Sequence, residues 1–225
     1  MKVFHKDQTR DEYLDTQIKR SQSKFQFCKV SYSHVLNWKK VLERNCKLEG
    51  PILCLGTRNG REIDLFRTVF RSDPITNYLV KAFEVNKYGW KSRLPFIEAI
   101  NRSKIEEISS DSILGVEVNP DGKRSDVFVG SFDEMPLDWE NQFGILYSNS
   151  FDQSQDPLKT AKEWIRISKN NAIIIIGFND AEPTLADPTG CLSYSDFLDL
   201  FPGELLYFNK LGSNYDDIII RLNET

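Results

Sequence analysis

The stretch from Ala172 to Phe178 (AIIIIGF) constrains the fold of this chain more than any other. A strand that is apolar throughout must be covered on both faces, and such strands belong to parallel sheets sandwiched between helices. It is also far shorter than the roughly 20 apolar residues that cross a bilayer. Helical patterns flank it. Asp156-Pro157 opens one in which Leu158, Ala161, Trp164, Ile165 and Ile167 follow a 3.6-residue period, and Ser193 caps another that runs to about Phe201.

Pro51–Leu55, Ile113–Val118, Asp126–Val129 and Phe143–Tyr147 read as earlier strands, and Arg61 to about Phe70 as a helix between the first two. Alternation of this kind predicts an α/β fold, a doubly wound, mostly parallel, seven-stranded sheet of Rossmann-like type. Glu117 and Gly130 stand too close for a full helix between their strands. Leu205–Phe208 and Asp217–Leu222 end the chain across the short loop Lys210–Tyr215. Such strands pair directly only if antiparallel, or else flank a third, so an antiparallel last strand is expected. The chain is expected to form a single domain over residues 1–225.

Two segments stand outside this alternation. Thr9–Ser23, capped by Thr9 with Glu12, and Ser33–Asn45, with Val35, Leu36, Trp38, Val41 and Leu42 on one face, make residues 1–50 a helical N-terminal cover. Residues 72–112 hold Tyr78, Phe83, Tyr88, Trp90 and Phe96, with helical spacing from Pro95 to about Glu107, and read as an insertion before the second strand. The cover carries eleven Lys/Arg against six Asp/Glu, whereas the remainder carries 18 against 27, so the net charge of −4 is a difference between a basic cover and an acidic body.

A pI near 5.4 argues against a dedicated nucleic-acid partner. No apolar segment follows Met1, which with the absence of a spanning run predicts a cytoplasmic protein that needs no membrane. Cys28, Cys46, Cys54 and Cys191 form no CxxC pair and read as reduced thiols; with only His5 and His34 beside them they exclude a structural zinc site. No GxSxG elbow supports a hydrolase triad.

Ligands of open α/β sheets bind beyond the carboxyl ends of the strands, so those ends carry the chemistry. The first is Leu53-Cys-Leu-Gly-Thr-Arg-Asn-Gly60, in which Arg58 stands where a middle glycine would, against a dinucleotide fingerprint. Glu117 ends the second strand, where a carboxylate can accept both hydroxyls of a ribose. Ser131 and Phe132 follow the third and suit the edge and face of an adenine. Ser148, Asn149, Ser150, Phe151 and Asp152 form a polar group after the fourth.

In this order the four strand ends resemble the class I S-adenosylmethionine-dependent methyltransferases of the methyltransferase type 11 kind, over about residues 50–222. The first loop, Leu53 through Glu62, is similar to LCLGxRxGxE. Gly115–Pro120 is similar to GxDxNP, Gly130–Pro136 to GDFxxLP, and Tyr147–Pro157 to YTNSLDHxxDP. The resemblance implies S-adenosyl-L-methionine as cofactor. Gly56, Thr57 and Arg58 would lie against its methionine part, Glu117 would take its ribose, Ser131 and Phe132 its adenine, and Ser148 and Asn149 the space near the sulfonium, with Leu55, Gly60 and Val118 completing the cofactor site. The sequence departs from the family at Cys54, where an acidic residue is common, at Ser131 in place of Asp, and at Gln153 in place of His.

Methyl transfer to a hydroxyl benefits from a base. The candidates are Asp152, beside the reaction space, and His34, in the cover. Asp180 is placed to join Asp152 around a divalent ion, but no metal motif is complete. The resemblance implies O-methylation of a small molecule or of a sugar or glycan hydroxyl. Two alternatives stay open, a binding protein on this fold without turnover and an NAD-dependent oxidoreductase. The paired tail argues against the latter.

Overall fold

The computed structural model describes residues 1–4, 8–25, 27–47, 50–71, 108–210 and 216–224. In chain order they form β1 (Lys2–Val3), α1 (Arg10–Ser23), α2 (Tyr32–Asn45), β2 (Ile52–Leu55), α3 (Arg61–Arg71), β3 (Ile113–Glu117), β4 (Val127–Val129), β5 (Phe143–Ser148), α4 (Pro157–Ile167), β6 (Ser168–Phe178), β7 (Thr189–Gly190), α5 (Tyr194–Leu200), β8 (Gly203–Lys210) and β9 (Asp216–Leu222). The expected insertion lies outside the described residues from 72 to 107, as does the loop 211–215.

Seven strands form one sheet in the order β4-β3-β2-β5-β6-β9-β8. Pairing is parallel from β4 to β6, and β9 runs antiparallel to both β6 and β8. The mostly parallel sheet with an antiparallel last strand is therefore present. A single 3-10 turn, Pro120–Gly122, stands between β3 and β4 where a helix has no room. β1 and β7, two residues each, pair separately and carry no sequence signal of their own.

Alternate residues of each central strand serve opposite faces. Leu53, Leu55, Leu114, Val116, Leu146, Ile174, Ile176 and Phe178 pack with Ala161, Trp164 and Ile167 of α4 and Phe197 of α5. Ile52, Cys54, Ile113, Ile145, Tyr147, Ile173 and Ile175 pack with Val35, Trp38 and Leu42 of α2 and Ile63 and Phe66 of α3. β6 extends four residues earlier than its apolar stretch, with Asn171 at φ 60 and a shifted register against β5.

The two helices of the cover are held in different ways. α2 buries Val35, Trp38 and Leu42 completely, and Trp38 Nε1 donates to Asp217 Oδ2 at 2.6 Å. Each such side chain contributes about 1.5–3 kcal/mol on burial, so α2 belongs to the core. α1 buries Tyr13, Gln17 and Ser21, a stripe with i, i+4, i+8 spacing and two polar members. It docks through hydrogen bonds and ion pairs, and the place where it docks is the carboxyl end of the sheet.

Candidate active site

The strand order reverses between β2 and β5, since β2 has β3 on one side and β5 on the other. That switch point is where an open sheet leaves a crevice. A cleft with an enclosed volume of about 30 Å³ lies there, lined by Gly56, Arg58, Glu117, Val118, Ser131, Phe132, Ser150 and Gln153 of the strand ends and roofed by Tyr13, Gln17, Arg20 and Ser21 of α1. With α1 seated it is therefore a slot, well below the roughly 300 Å³ or more of ordinary small-molecule sites.

The floor is the loop after β2. Gly56, Arg58 and Gly60 all adopt positive φ, at 75, 52 and 75 degrees. Glycine takes this conformation without cost, and Arg58 takes it under strain. A Cβ on Gly56 would lie 2.9 Å from Ser150 Oγ, so only glycine lets the ends of β2 and β5 meet. Gly60 has a different duty. A Cβ there would lie 2.6 Å from Arg124 Nη1, which donates to the Gly60 carbonyl at 3.1 Å and to Asp64 Oδ2 at 3.1 Å. Gly60 makes room for this buried ion-pair network and is not among the residues lining the cleft.

Glu117 is 4% exposed and is held from three sides. The Arg58 N–H donates to Oε2 at 2.7 Å, the Asn119 N–H to Oε1 at 3.0 Å, and Ser21 Oγ to Oε1 at 2.8 Å. Two of these donors are backbone groups that fix the carboxylate. The third is a hydroxyl brought by α1. Opposite, Ser131 Oγ donates to Asp133, which Arg10 of α1 grips through both oxygens at 2.9 and 2.6 Å. Burial alone would raise the Asp133 carboxyl, and the bonds from Arg10 and Ser131 outweigh it, holding it below the ordinary carboxylate range.

At the other end, Tyr13 OH donates to the Gln153 carbonyl at 2.5 Å, Gln17 Nε2 to the Ala186 carbonyl at 2.9 Å, and Arg20 pairs with Asp187. Asp152 lies in the turn Phe151–Gln153, between Ser150 and Gln153 of the lining. Its Oδ1 is sealed from solvent without a hydrogen-bond partner among the described residues. Burial first, and then the Asp187 charge, push its carboxyl up to about 7 against the opposing pull of Arg20 and Lys29.

The remaining sequence candidates stand as follows. Ser148 is fully buried, donating to the Leu55 carbonyl at 3.0 Å and accepting from the Ser150 N–H at 3.0 Å, so it ties β2 to β5. Asn149 accepts from Ser150 Oγ at 3.2 Å, and Thr57 and Leu55 are buried behind the loop. His34 sits away from the cleft lining. Its Nδ1 accepts from the Ser31 N–H at 3.2 Å in the capping box of α2, and its ring stacks 6.2 Å from Trp38. Asp180 is exposed, and among the described residues no group of three or more His, Cys, Asp or Glu side chains is disposed to hold a metal ion. Sequence reading missed the roof, Tyr13, Leu14, Gln17, Arg20 and Ser21. The available signal was the polar stripe at helical spacing, which a merely solvated helix does not need.

Glu62, just behind this floor, is 4% exposed, and its Oε2 has no partner among the described residues. Burial pushes its carboxyl up to about 7 from 4.5. The folded value exceeds the unfolded one, so the fold favours the protonated form, and stability falls as pH rises from about 4.5 to about 7, then levels. Glu62→Gln is expected to raise stability at pH 8 by on the order of 3 kcal/mol and to change it little at pH 4. Urea unfolding at the two pH values checks this; equal destabilisation at both would refute it.

No family model and no curated protein matches the chain. Among solved structures it is similar to the 1,6-didemethyltoxoflavin-N1-methyltransferase of Burkholderia thailandensis with bound 1,6-didemethyltoxoflavin and S-adenosylhomocysteine. The TM-score is 0.62 at 8% identity, over 99% of this chain and 94% of that one. It is also similar to a chain of the complex between the Haloferax volcanii Trm112 methyltransferase activator and a methyltransferase, with TM-score 0.51 and 14% identity over 96% and 100% of the two chains. At these identities the likeness is one of fold. Strand order, the cleft at the switch point and these neighbours together give the chain the fold of the class I S-adenosylmethionine-dependent methyltransferases.

Proposed function

We propose that this protein is an S-adenosyl-L-methionine-dependent methyltransferase acting in the cytoplasm on a hydroxyl of a small molecule, with a sugar or glycan hydroxyl as the leading class. The observation that carries the reading is Glu117, a buried carboxylate at the switch point, fixed by backbone N–H groups and carrying on Oε1 one hydroxyl, that of Ser21. A ribose hydroxyl is the chemical equivalent of that serine. The residues present suit the cofactor in their chemistry, and α1 has to move to admit it. Glu117 would hold the ribose, with Val118 beside it and Phe132 against the adenine. The glycine floor and Arg58 would hold the methionine part.

When bound, the cofactor supplies a methyl group made electrophilic by its sulfonium. The chain's own work is alignment and proton management. Alignment comes from the strand ends and α1, and holding reacting atoms in register supplies several kcal/mol. Asp152, raised to about 7, is matched to accept a hydroxyl proton near neutral pH. As α1 is seated, the cleft is a narrow slot. Its roof is held by exchangeable contacts, Arg10 to Asp133, Arg20 to Asp187 and Ser21 to Glu117, so ligand access goes by displacement of α1 while α2 stays in the core.

The same satisfied contacts favour a second reading, a binding protein whose cleft is closed by its own helix. Assay of transfer from radiolabelled S-adenosylmethionine to a panel of glycans and small alcohols separates the two. Label in a hydroxyl-bearing acceptor supports the enzyme, and S-adenosylhomocysteine binding with no transfer to any panel member supports the second reading.

A further inference from the structure

We infer that Gln17, Arg20 and Asp152 form the acceptor subsite and that it takes a vicinal diol; this rests on the methyltransferase reading and names its substrate class. Gln17 and Arg20 stand i, i+3 on α1, so their side chains are neighbours. Adjacent residues of the body clamp their outer ends, Ala186 O accepting from Gln17 Nε2 at 2.9 Å and Asp187 pairing with Arg20. Both side chains line the cleft, beside Ser150 and Gln153, the residues that bracket Asp152. The clamp leaves over Gln17 Oε1 and Arg20 Nε, which with Asp152 Oδ1 are buried and without a hydrogen-bond partner among the described residues. Gln17 itself is 4% exposed. Asp152 lies behind the lining, close enough to Arg20 and Asp187 to feel both charges. Buried polar groups are as a rule satisfied, so unsatisfied ones at a cleft and just behind it point to a ligand that satisfies them.

Asp187 Oδ1 also lacks a hydrogen bond among the described residues but is met by the Arg20 charge, so the set left for a ligand is two acceptors and one donor, and its composition selects the ligand. A protonated amine brings donors only and leaves Arg20 Nε unmet. A phosphate or carboxylate brings acceptors only and meets Asp152 and Asp187 with like charge. Two adjacent hydroxyls fit all three atoms: one donates to Asp152, the other donates to Gln17 Oε1 and accepts from Arg20 Nε. The first is the nucleophile. Its oxygen forms the new O–CH3 bond as the methyl–sulfur bond breaks. That electron pair stays on sulfur, giving S-adenosylhomocysteine, and the hydroxyl proton passes to Asp152. Asp187 is a positioning residue, acting through Arg20.

The test is saturation-transfer NMR on the full chain with saturating S-adenosylhomocysteine. The probes are methyl α-D-mannopyranoside and catechol, each compared with its diol blocked as an isopropylidene acetal. Wild type is expected to transfer saturation to at least one free diol and to neither blocked form. Gln17→Met, Arg20→Lys and Asp152→Asn, each checked for an unchanged melting curve shape, are expected to lower the signal at least fivefold while S-adenosylhomocysteine affinity stays within twofold. Arg20→Lys keeps a positive charge to face Asp187 and removes the Nε donor with the rest of the guanidinium fork, so its loss of signal beside an unchanged melting curve separates subsite from scaffold. Equal signal from blocked and free probes, or wild-type signal in Arg20→Lys, overturns the proposal. S-adenosylhomocysteine binding with signal from neither diol overturns the subsite alone; failure to bind S-adenosylhomocysteine overturns the methyltransferase reading with it.

Discussion

Glu117→Ala is expected to weaken S-adenosylhomocysteine binding at least tenfold in a calorimetric titration. Hydrogen bonds to a charged group contribute about 1.5–3 kcal/mol, and each 1.4 kcal/mol is tenfold in affinity. The carboxylate is aimed before any ligand arrives, since the Arg58 and Asn119 N–H groups fix both oxygens. A ligand therefore has only to displace the Ser21 hydroxyl, exchanging one O–H donor for another. Alanine also frees the Arg58 N–H, in a residue already at φ 52, so the loop itself loosens. Glu117→Gln controls for this. It keeps the side chain's shape and one acceptor oxygen, and is expected to fall between wild type and alanine. Unchanged affinity in a folded Glu117→Ala protein would refute the ribose assignment.

Asp152→Asn is expected to lower kcat about a hundredfold or more, with an acceptor from the hydroxyl panel, because removal of a positioned base costs about 10²–10⁴. The wild-type rate should rise with pH through about 7, as the carboxyl ionises, and the variant should lack that step. The same shift makes an opposite prediction for stability. The folded value lies above the ordinary 3.8, so the fold prefers the neutral acid, and stability drains away as pH rises from about 4 to about 7. A neutral amide carries no such penalty, so the variant should be slower yet more resistant to urea above pH 7. A side chain that weakens the fold where it is ionised is expected at a working site. A variant both slower and less stable at pH 8 would point to a structural role instead.

Much of the architecture was legible because it follows from periodicity and from chain length. The apolar stretch ending at Phe178 could only be a strand covered on both faces, and it lies between packed layers as Ile173, Ile175 on one side and Ile174, Ile176 on the other. Thr9 and Ser193 announced their helices by capping, and both boxes are formed. What was not legible depends on contacts between distant segments. β1 and β7 are two residues each and exist only because they pair. The candidate site divides the same way. Gly56, Arg58, Glu117, Val118, Ser131 and Phe132 meet in one cleft because strand ends converge at a switch point, a topological rule readable from sequence. Gln17, Arg20 and Ser21 join them by docking of a polar helix, for which no local pattern gives an address. His34 looked reactive by residue type, and its Nδ1 is engaged in capping α2.

Binding of an adenosyl cofactor in this cleft, between the strand ends and α1, is the step on which the proposed activity depends. Calorimetric titration of the wild-type chain with S-adenosylhomocysteine tests it most directly. Saturable one-to-one binding that Glu117→Ala weakens is expected, and the absence of any binding heat at millimolar ligand would contradict the proposed cofactor site.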